Sequence, residues 1–172
     1  VTISDDAPDA VTVEITASDD AATEGGDNGE FTVTLSSVNN TGADIVIPVT
    51  MSGTAADGTD YTTIVSITIA DGESTGTVSV TPAQDALFEN SETVIATLGD
   101  LSGVTGVSAG TQTTATVTIS DDAPDAVTVE ITASDDAATE GGSDNGAFTA
   151  TLSSVNNTGS DIVIPVTMSG TA

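Results

Sequence analysis

The chain has 172 residues, 27 of them acidic, and contains no Lys, Arg, His or Cys, so its formal net charge is -27. These absences exclude His- and Cys-based nucleophilic pairs, thiolate or imidazole zinc sites, disulfides, Schiff-base and phosphate-binding lysines, and Lys–Asn isopeptide bonds. Nucleic acid is excluded as a partner too, because phosphate binding needs cations, and one Tyr, three Phe and no Trp offer no stacking platform.

In chain order, the dominant signal is a period of two, the mark of half-buried strands. Val11, Val13, Ile15 and Ala17 alternate with Thr12, Glu14 and Thr16, and Gly25-Gly26 then signals a turn. Phe31, Val33 and Leu35 alternate with Thr32 and Thr34, ahead of the turn residues Asn39-Asn40-Thr41-Gly42. Ile45, Ile47, Val49 and Met51 form a third inward row. Pro48 faces the other way, and since proline cannot donate to a ladder it predicts an edge position or a bulge. Further strands are expected over Thr62–Ile69, Gly76–Thr81, Thr93–Leu98 and Thr113–Ile119, separated by Asp71-Gly72 and Ser102-Gly103. No segment has a helical period. Seven short strands in this length predict an all-β, immunoglobulin-like antiparallel β-sandwich.

The chain also repeats itself. Val1–Glu24 recurs letter for letter as Val117–Glu140, and after the inserted Ser143 the match continues from Phe31 with Phe148 to Ala55 with Ala172. This predicts tandem repeats, with residues 1–8 the C-terminal strand of a preceding unit, 9–124 one complete unit, and 125–172 the N-terminal part of the next. The expectation is a longer tandem array, or missing strands supplied by another chain. The junction Asp121-Asp122-Ala123-Pro124-Asp125-Ala126 is short, and Pro124 stiffens it. At 37% apolar residues, with the carboxylates scattered, the chain is expected to fold despite its charge. It holds no apolar stretch of membrane-spanning length, so no membrane insertion is expected in this segment.

Most acids fit solvated or turn positions: Glu14, Glu30 and Glu73 on outward faces or turns, and Asp27, Asp44, Asp57, Asp71 and Asp100 as turn formers. A second group sits at strand ends and in adjoining loops: Glu24, Asp60, Asp85, Glu89, Glu92, Asp121 and Asp122. The ends of sandwich strands gather at two poles, so these carboxylates form either a solvated acidic rim or a site for a hard divalent cation. Calcium, with six to eight oxygen ligands in flexible geometry, suits them better than magnesium. Asp9, Asp19-Asp20 and Asp125 are candidates for a further ligand across the junction.

Glu24-Gly25-Gly26, Phe31-Thr32-Val33-Thr34-Leu35, Ile47-Pro48-Val49-Thr50, Ser52-Gly53-Thr54-Ala55, Gly58-Thr59-Asp60-Tyr61, Asp85-Ala86-Leu87-Phe88-Glu89, Glu92-Thr93-Val94 and Val117-Thr118-Ile119-Ser120-Asp121-Asp122 together resemble the Calx-beta domain in order and spacing. That resemblance covers the whole repeat. It implies an immunoglobulin-like sandwich binding calcium at one end through Glu24, Asp60, Asp85, Glu89, Glu92, Asp121, Asp122 and the Leu87 carbonyl. Asp5 and Asp6 would serve the preceding unit and Glu140 the following one. Two departures from the family pattern, Gln84 and Ala123 in places often acidic, imply one or two ions bound at roughly 0.1–1 mM, the range of extracellular modules.

The function expected on these grounds is a calcium-stiffened structural repeat in a secreted or surface-anchored stalk or fibre, like the tandem Calx-beta units of large bacterial adhesin-type proteins. Its expected partners are neighbouring repeats of the same chain. Two alternatives stand beside it: a subunit that assembles with identical chains into an extracellular filament, and a carbohydrate- or protein-binding adhesion module, for which aromatic walls are missing. Two-carboxylate glycosidase chemistry survives by residue type alone. It lacks the same aromatic walls, so no enzyme is expected. Asn39-Asn40-Thr41 and Asn156-Asn157-Thr158 match the glycosylation sequon, although turn formers fill such loops anyway.

Overall fold

The computed structural model describes residues 11–122 and 125–170, which divide into two compact units: 11–85 with Ser91–Asp122, and Ala86–Asn90 with 125–170. Nine strands build the first unit: β1 (Val11–Asp19), β2 (Ala21–Thr23), β3 (Gly29–Leu35), β4 (Ile45–Gly53), β5 (Ser66–Ile69), β6 (Thr75–Val80), β7 (Glu92–Leu98), β8 (Val107–Ala109) and β9 (Thr114–Ser120). They form two sheets, ordered β6-β3-β1-β8 and β2-β9-β7-β4-β5. The alternating rows read from the sequence meet between these sheets. Val13, Ile15, Phe31, Val33, Ile47, Val94 and Val117 have no exposed surface. Their threonine and glutamate neighbours point outward, as a two-residue period requires.

All seven expected strands are present, the fourth, expected over Thr62–Ile69, shortened to Ser66–Ile69, and two more join them. β2 and β8 are three-residue strands that pair parallel, β2 with β9 and β8 with β1, so the sandwich is mixed rather than wholly antiparallel. β1 and β2 lie in different sheets. The chain crosses between them at Asp19-Asp20, where Asp19 Oδ1 accepts the Ala21 N–H (3.3 Å) and the Asp20 carbonyl accepts the Thr118 N–H (2.9 Å). Ser18 is the extra residue of a bulge just before this crossing.

Pro48 occupies neither a sheet edge nor a bulge. Ile45–Pro48 pair with β5 and Val49–Gly53 with β7, so the proline stands where β4 changes partners. A residue without an N–H is tolerated there, because the ladder on one side stops and the other begins.

Asn39 anchors the loop after β3. It is 2% exposed, and its Nδ2 donates to the carbonyls of Ala43 (2.9 Å) and Ile69 (3.2 Å), while Oδ1 accepts from Thr41 N (3.2 Å) and Thr41 Oγ1 (2.8 Å). Its main chain bonds Gly72 and Glu73. The sequon at Asn39 is therefore closed in the folded unit, its amide nitrogen already used twice. Asn39→Ala strands the buried Ile69 carbonyl and is expected to lower unfolding stability by about 3 kcal/mol, measured by urea denaturation. A change below ~0.5 kcal/mol would show that the loop is held by other contacts.

Several acids read as turn formers do that work. Asp100 accepts from the N–H and hydroxyl of Ser102 (both 2.9 Å), which lowers its pKa. Asp71 Oδ1 accepts the Gly42 N–H (2.9 Å), and Asp44 Oδ1 accepts the Asp71 N–H (3.1 Å). Glu14 does more than sit on an outward face. Its Oε1 accepts from Thr111 Oγ1 (2.8 Å) and Thr111 N (3.1 Å), tying β1 to the segment before β9, and the side-chain bond is the main cause of a lowered pKa. A carboxyl lowered on folding stabilises the fold above its unfolded pKa and loses that contribution as pH falls through the folded pKa. Glu14→Gln is therefore expected to flatten the acid side of a stability–pH profile taken by urea midpoints. An unchanged acid slope would show that Glu14 contributes nothing to it.

The second unit contains β10 (Val129–Asp135) and β11 (Ala147–Leu152), paired antiparallel. Its register repeats that of β1 and β3: Val129 faces Leu152 as Val13 faces Leu35, and the bulge falls at Ser134 as it does at Ser18. In register with the repeat, Ile131 faces Ala150 and Ala133 faces Phe148, as Ile15 faces Val33 and Ala17 faces Phe31. Residues 161–170, identical to 44–53, form no strand here. Ala86–Asn90 belongs to this unit, with Phe88 bridged to Asn156 and Asn90 Nδ2 donating to the Thr158 carbonyl (3.0 Å).

Candidate metal centre

Parallel pairing of β2 with β9 creates the candidate site in the first unit. Thr23 lies beside Ser120, and the Glu24 N–H donates to the Ser120 carbonyl (3.1 Å). Two strands running the same way end at the same pole, so Glu24 leaves β2 where Asp121 and Asp122 leave β9. Glu92 begins β7 opposite Ile119, two residues before Asp121. A third chain segment arrives from β6: Tyr61 bridges Pro82, and the Ala83 N–H donates to the Asp60 carbonyl (2.9 Å), which places Gln84 and Asp85 beside the Glu24 turn.

Carboxylate oxygens of Glu24 and Asp85 come within 4.8 Å of each other, as do those of Asp121 and Asp122. Gly25 joins the two pairs. It holds a φ of 58°, and a Cβ there would collide with the Gln84 side-chain oxygen and lie 3.5 Å from Asp122 Oδ2. Glycine is needed at this position both for its backbone conformation and for room. Gln84 is itself oriented, its Nε2 donating to the Asp85 carbonyl (2.9 Å).

Burial makes this concentration of charge costly. Glu24 is 7% exposed, the only buried acid among the described residues, and Asp122 Oδ1 is a buried atom that accepts no hydrogen bond. Taking an ionised carboxylate out of water costs several kcal/mol unless a counter-charge is close, and the sequence supplies no cationic side chain. The donors around the site are all oxygen, the ligand chemistry of hard divalent cations, so the cluster fits such an ion.

The remaining residues of the implied ligand set stand as follows. One Asp60 carboxylate oxygen accepts the Ala56 N–H (2.6 Å) and closes the Ala56–Tyr61 turn. Leu87 and Glu89 fall in the second unit, where Glu89 Oε1 accepts from Asn157 Nδ2 (3.0 Å). Glu140 is exposed in the β10–β11 loop. Asp19 is used at the strand crossing and Asp20 is exposed; Asp125 belongs to the second unit. Asp5, Asp6, Asp9, Ala123 and Pro124 lie outside the described residues. Sequence reasoning read Gly25 only as a turn residue and Gln84 only as a missing acid, not as the pair that meets inside the site.

Residues 6–123 match the Calx-beta domain. No curated protein matches the chain. Among solved structures, the apo-form Calx CBD1 domain is 19% identical over 65% of this chain and 97% of its own length, with a TM-score of 0.52. CBD12 from CALX1.2 is 18% identical over 86% of this chain and 73% of its own, also at 0.52. The calcium binding domain CBD12 of CALX1.1 is 18% identical over 84% and 72%, at 0.50. These structures share the fold. The match to the family pattern spans well over half the chain, and the chain belongs to the Calx-beta domain family.

Proposed function

We propose that this Calx-beta chain binds one or two calcium ions through Glu24, Asp85, Asp121 and Asp122, with Glu92 and Asp60 at the border of the site. In this reading the ion stiffens tandem repeats of an extracellular, surface-attached stalk. The observation that carries it is the buried Glu24 carboxylate close to that of Asp85, at the pole where the Asp121–Asp122 pair ends β9, in a chain without a single cationic side chain. Calcium neutralises the pole and ties three segments together: the turn after β2, the loop after β6 and the end of β9. The last of these leads straight into the next copy of the repeat, so an ion there also restrains the junction. Roughly millimolar affinity suits an extracellular setting, where such modules stay loaded. Letter-for-letter repetition, the absence of His, Cys, Lys and Arg, and the scarcity of aromatic residues favour a structural role over catalysis or sugar binding.

Tyr61 offers a direct test. It is the chain's single tyrosine, it is 2% exposed, and it bridges Pro82 at the start of the segment that carries Asp85. Burial, then Asp57 and Asp60, raise its pKa. Calcium is expected to change its fluorescence in a saturable titration with a midpoint near ~0.1–1 mM. Small-angle scattering of a chain with several repeats should show a longer maximum dimension in calcium than in chelator. Equal dimensions would overturn the stalk reading, and a flat titration would overturn ion binding itself.

A further inference from the structure

Gln84 reaches into the acid cluster with the end of its side chain that an ion-free pocket would turn away. A carboxamide has donors on its nitrogen and an acceptor oxygen. Gln84 Nε2 donates to the Asp85 main-chain carbonyl (2.9 Å), which leaves Oε1 as the end that lies over the Gly25 turn. Asp122 Oδ2 approaches the same place, 3.5 Å from where a Cβ on residue 25 would stand. Acceptor therefore faces acceptor. Among carboxylates alone the opposite orientation is favoured, because an N–H bonds an ionised oxygen more strongly than a neutral carbonyl. A cation between the oxygens reverses that preference. Asp122 Oδ1 is also buried and accepts no hydrogen bond, so this residue has an oxygen to spare for an ion. The backbone before Gln84 is fixed by three contacts: Thr62 N–H donates to the Thr81 carbonyl (3.0 Å), Tyr61 bridges Pro82, and Ala83 N–H donates to the Asp60 carbonyl (2.9 Å).

We propose that Gln84 Oε1 is a neutral ligand of the ion, set between the Glu24–Asp85 and Asp121–Asp122 pairs, and that its lack of charge sets the affinity of the site. This rests on the ion-binding reading above and adds a ligand to it. Amide oxygens are ordinary calcium ligands, and calcium affinity follows the charge and the rigidity of the ligand set. The pinned carboxamide supplies rigidity without charge. A carboxylate at this position would add another negative charge to a pole without cations. It would hold the ion more tightly and oppose folding more strongly when the ion is absent. Gln84 thus gives up affinity for a pole that stays assembled in calcium-free conditions.

Isothermal titration of calcium into the full chain reads this directly. Gln84→Glu is expected to lower the dissociation constant about tenfold, and Gln84→Met, which keeps the length but loses the oxygen, to raise it about tenfold. Gln84→Glu should also melt at a lower temperature than Gln84→Met in chelator. A side chain that only packs on the Gly25 turn would weaken binding in both variants, so the opposite signs mark a ligand. If Gln84→Glu unfolds in chelator, the titration of Gln84→Met decides alone. Gln84→Met binding as tightly as wild type, or a folded Gln84→Glu binding no more tightly, would overturn the inference and leave the ion site standing. A wild-type chain that gives no binding heat would overturn the ion-binding reading, and this inference with it.

Discussion

Phe31→Ala is expected to destabilise the first unit by about 4 kcal/mol, the cost of emptying a buried aromatic site. Phe148→Ala, the same substitution one repeat later, is expected to cost less than ~0.5 kcal/mol in dilute solution. Both phenylalanines follow a Gly-Glu or Gly-Ala start to their strand, and both face an alanine across the hairpin, Ala17 or Ala133. What separates them is burial: Phe31 is wholly covered and Phe148 is 61% exposed. Urea denaturation followed by circular dichroism, with Tyr61 reporting the first unit, gives both values. Equal losses at high dilution would mean that Phe148 is covered in solution.

The same contrast shows what a sequence can and cannot announce in this fold. Ile45–Gly53 and residues 162–170 spell the same nine letters, yet the first is a strand and the second is not. Period-two alternation marks a segment able to be a strand; neighbours supply the ladder that makes it one. β4 has β5 and β7 to pair with. The hairpin copies do form twice, because β10 and β11 need only each other. The seven strands legible in the sequence were those with two or more inward apolar residues. β2 and β8 escaped because three residues give no period, and their pairing is parallel, with partners nearly a hundred residues away. Thr62–Val65 was read as the first part of a strand over Thr62–Ile69, but only Ile64 in it is buried and hydrophobic, and Val65 is 69% exposed.

The candidate site was legible for a different reason. Acids placed just past strand ends must lie at a pole, and the absence of cations made their gathering conspicuous. Which pole each one joins depends on strand direction, and the parallel β2–β9 pair that decides it for Glu24 left no pattern in the sequence. Placement at strand ends and in adjoining loops, with the family resemblance, put Asp60 and Glu89 in the implied ligand set; the fold adds that one carboxylate oxygen of each accepts a hydrogen bond, from Ala56 N–H and Asn157 Nδ2. Such local bonds are decided by turn geometry, which residue identity alone does not specify.

Glu24→Gln is expected to remove most of the response of the first unit to calcium and to make the calcium-free chain more stable. The two effects share one cause. Glu24 is the buried member of the cluster, and it ends β2 beside Ser120, so its charge is held close to Asp121 and Asp122 by backbone pairing. Without an ion, like charges at that pole oppose folding. With calcium at about a hundred times its dissociation constant, the wild-type unit should gain about 2.7 kcal/mol, a rise in Tm on the order of 10 °C. Glutamine keeps the shape and one neutral oxygen but loses the charge that draws the ion. The variant should therefore gain less than ~1 kcal/mol from calcium while starting ~1 kcal/mol above wild type in chelator. Asp100→Asn, which alters an acid engaged with Ser102 in a turn, is the control and should keep the full calcium response. Thermal melts of the three chains with calcium and with chelator decide the matter. A Glu24→Gln chain that still gains the wild-type increment would remove Glu24 from the ion's ligands, because its buried charge would then be neutralised by some other means.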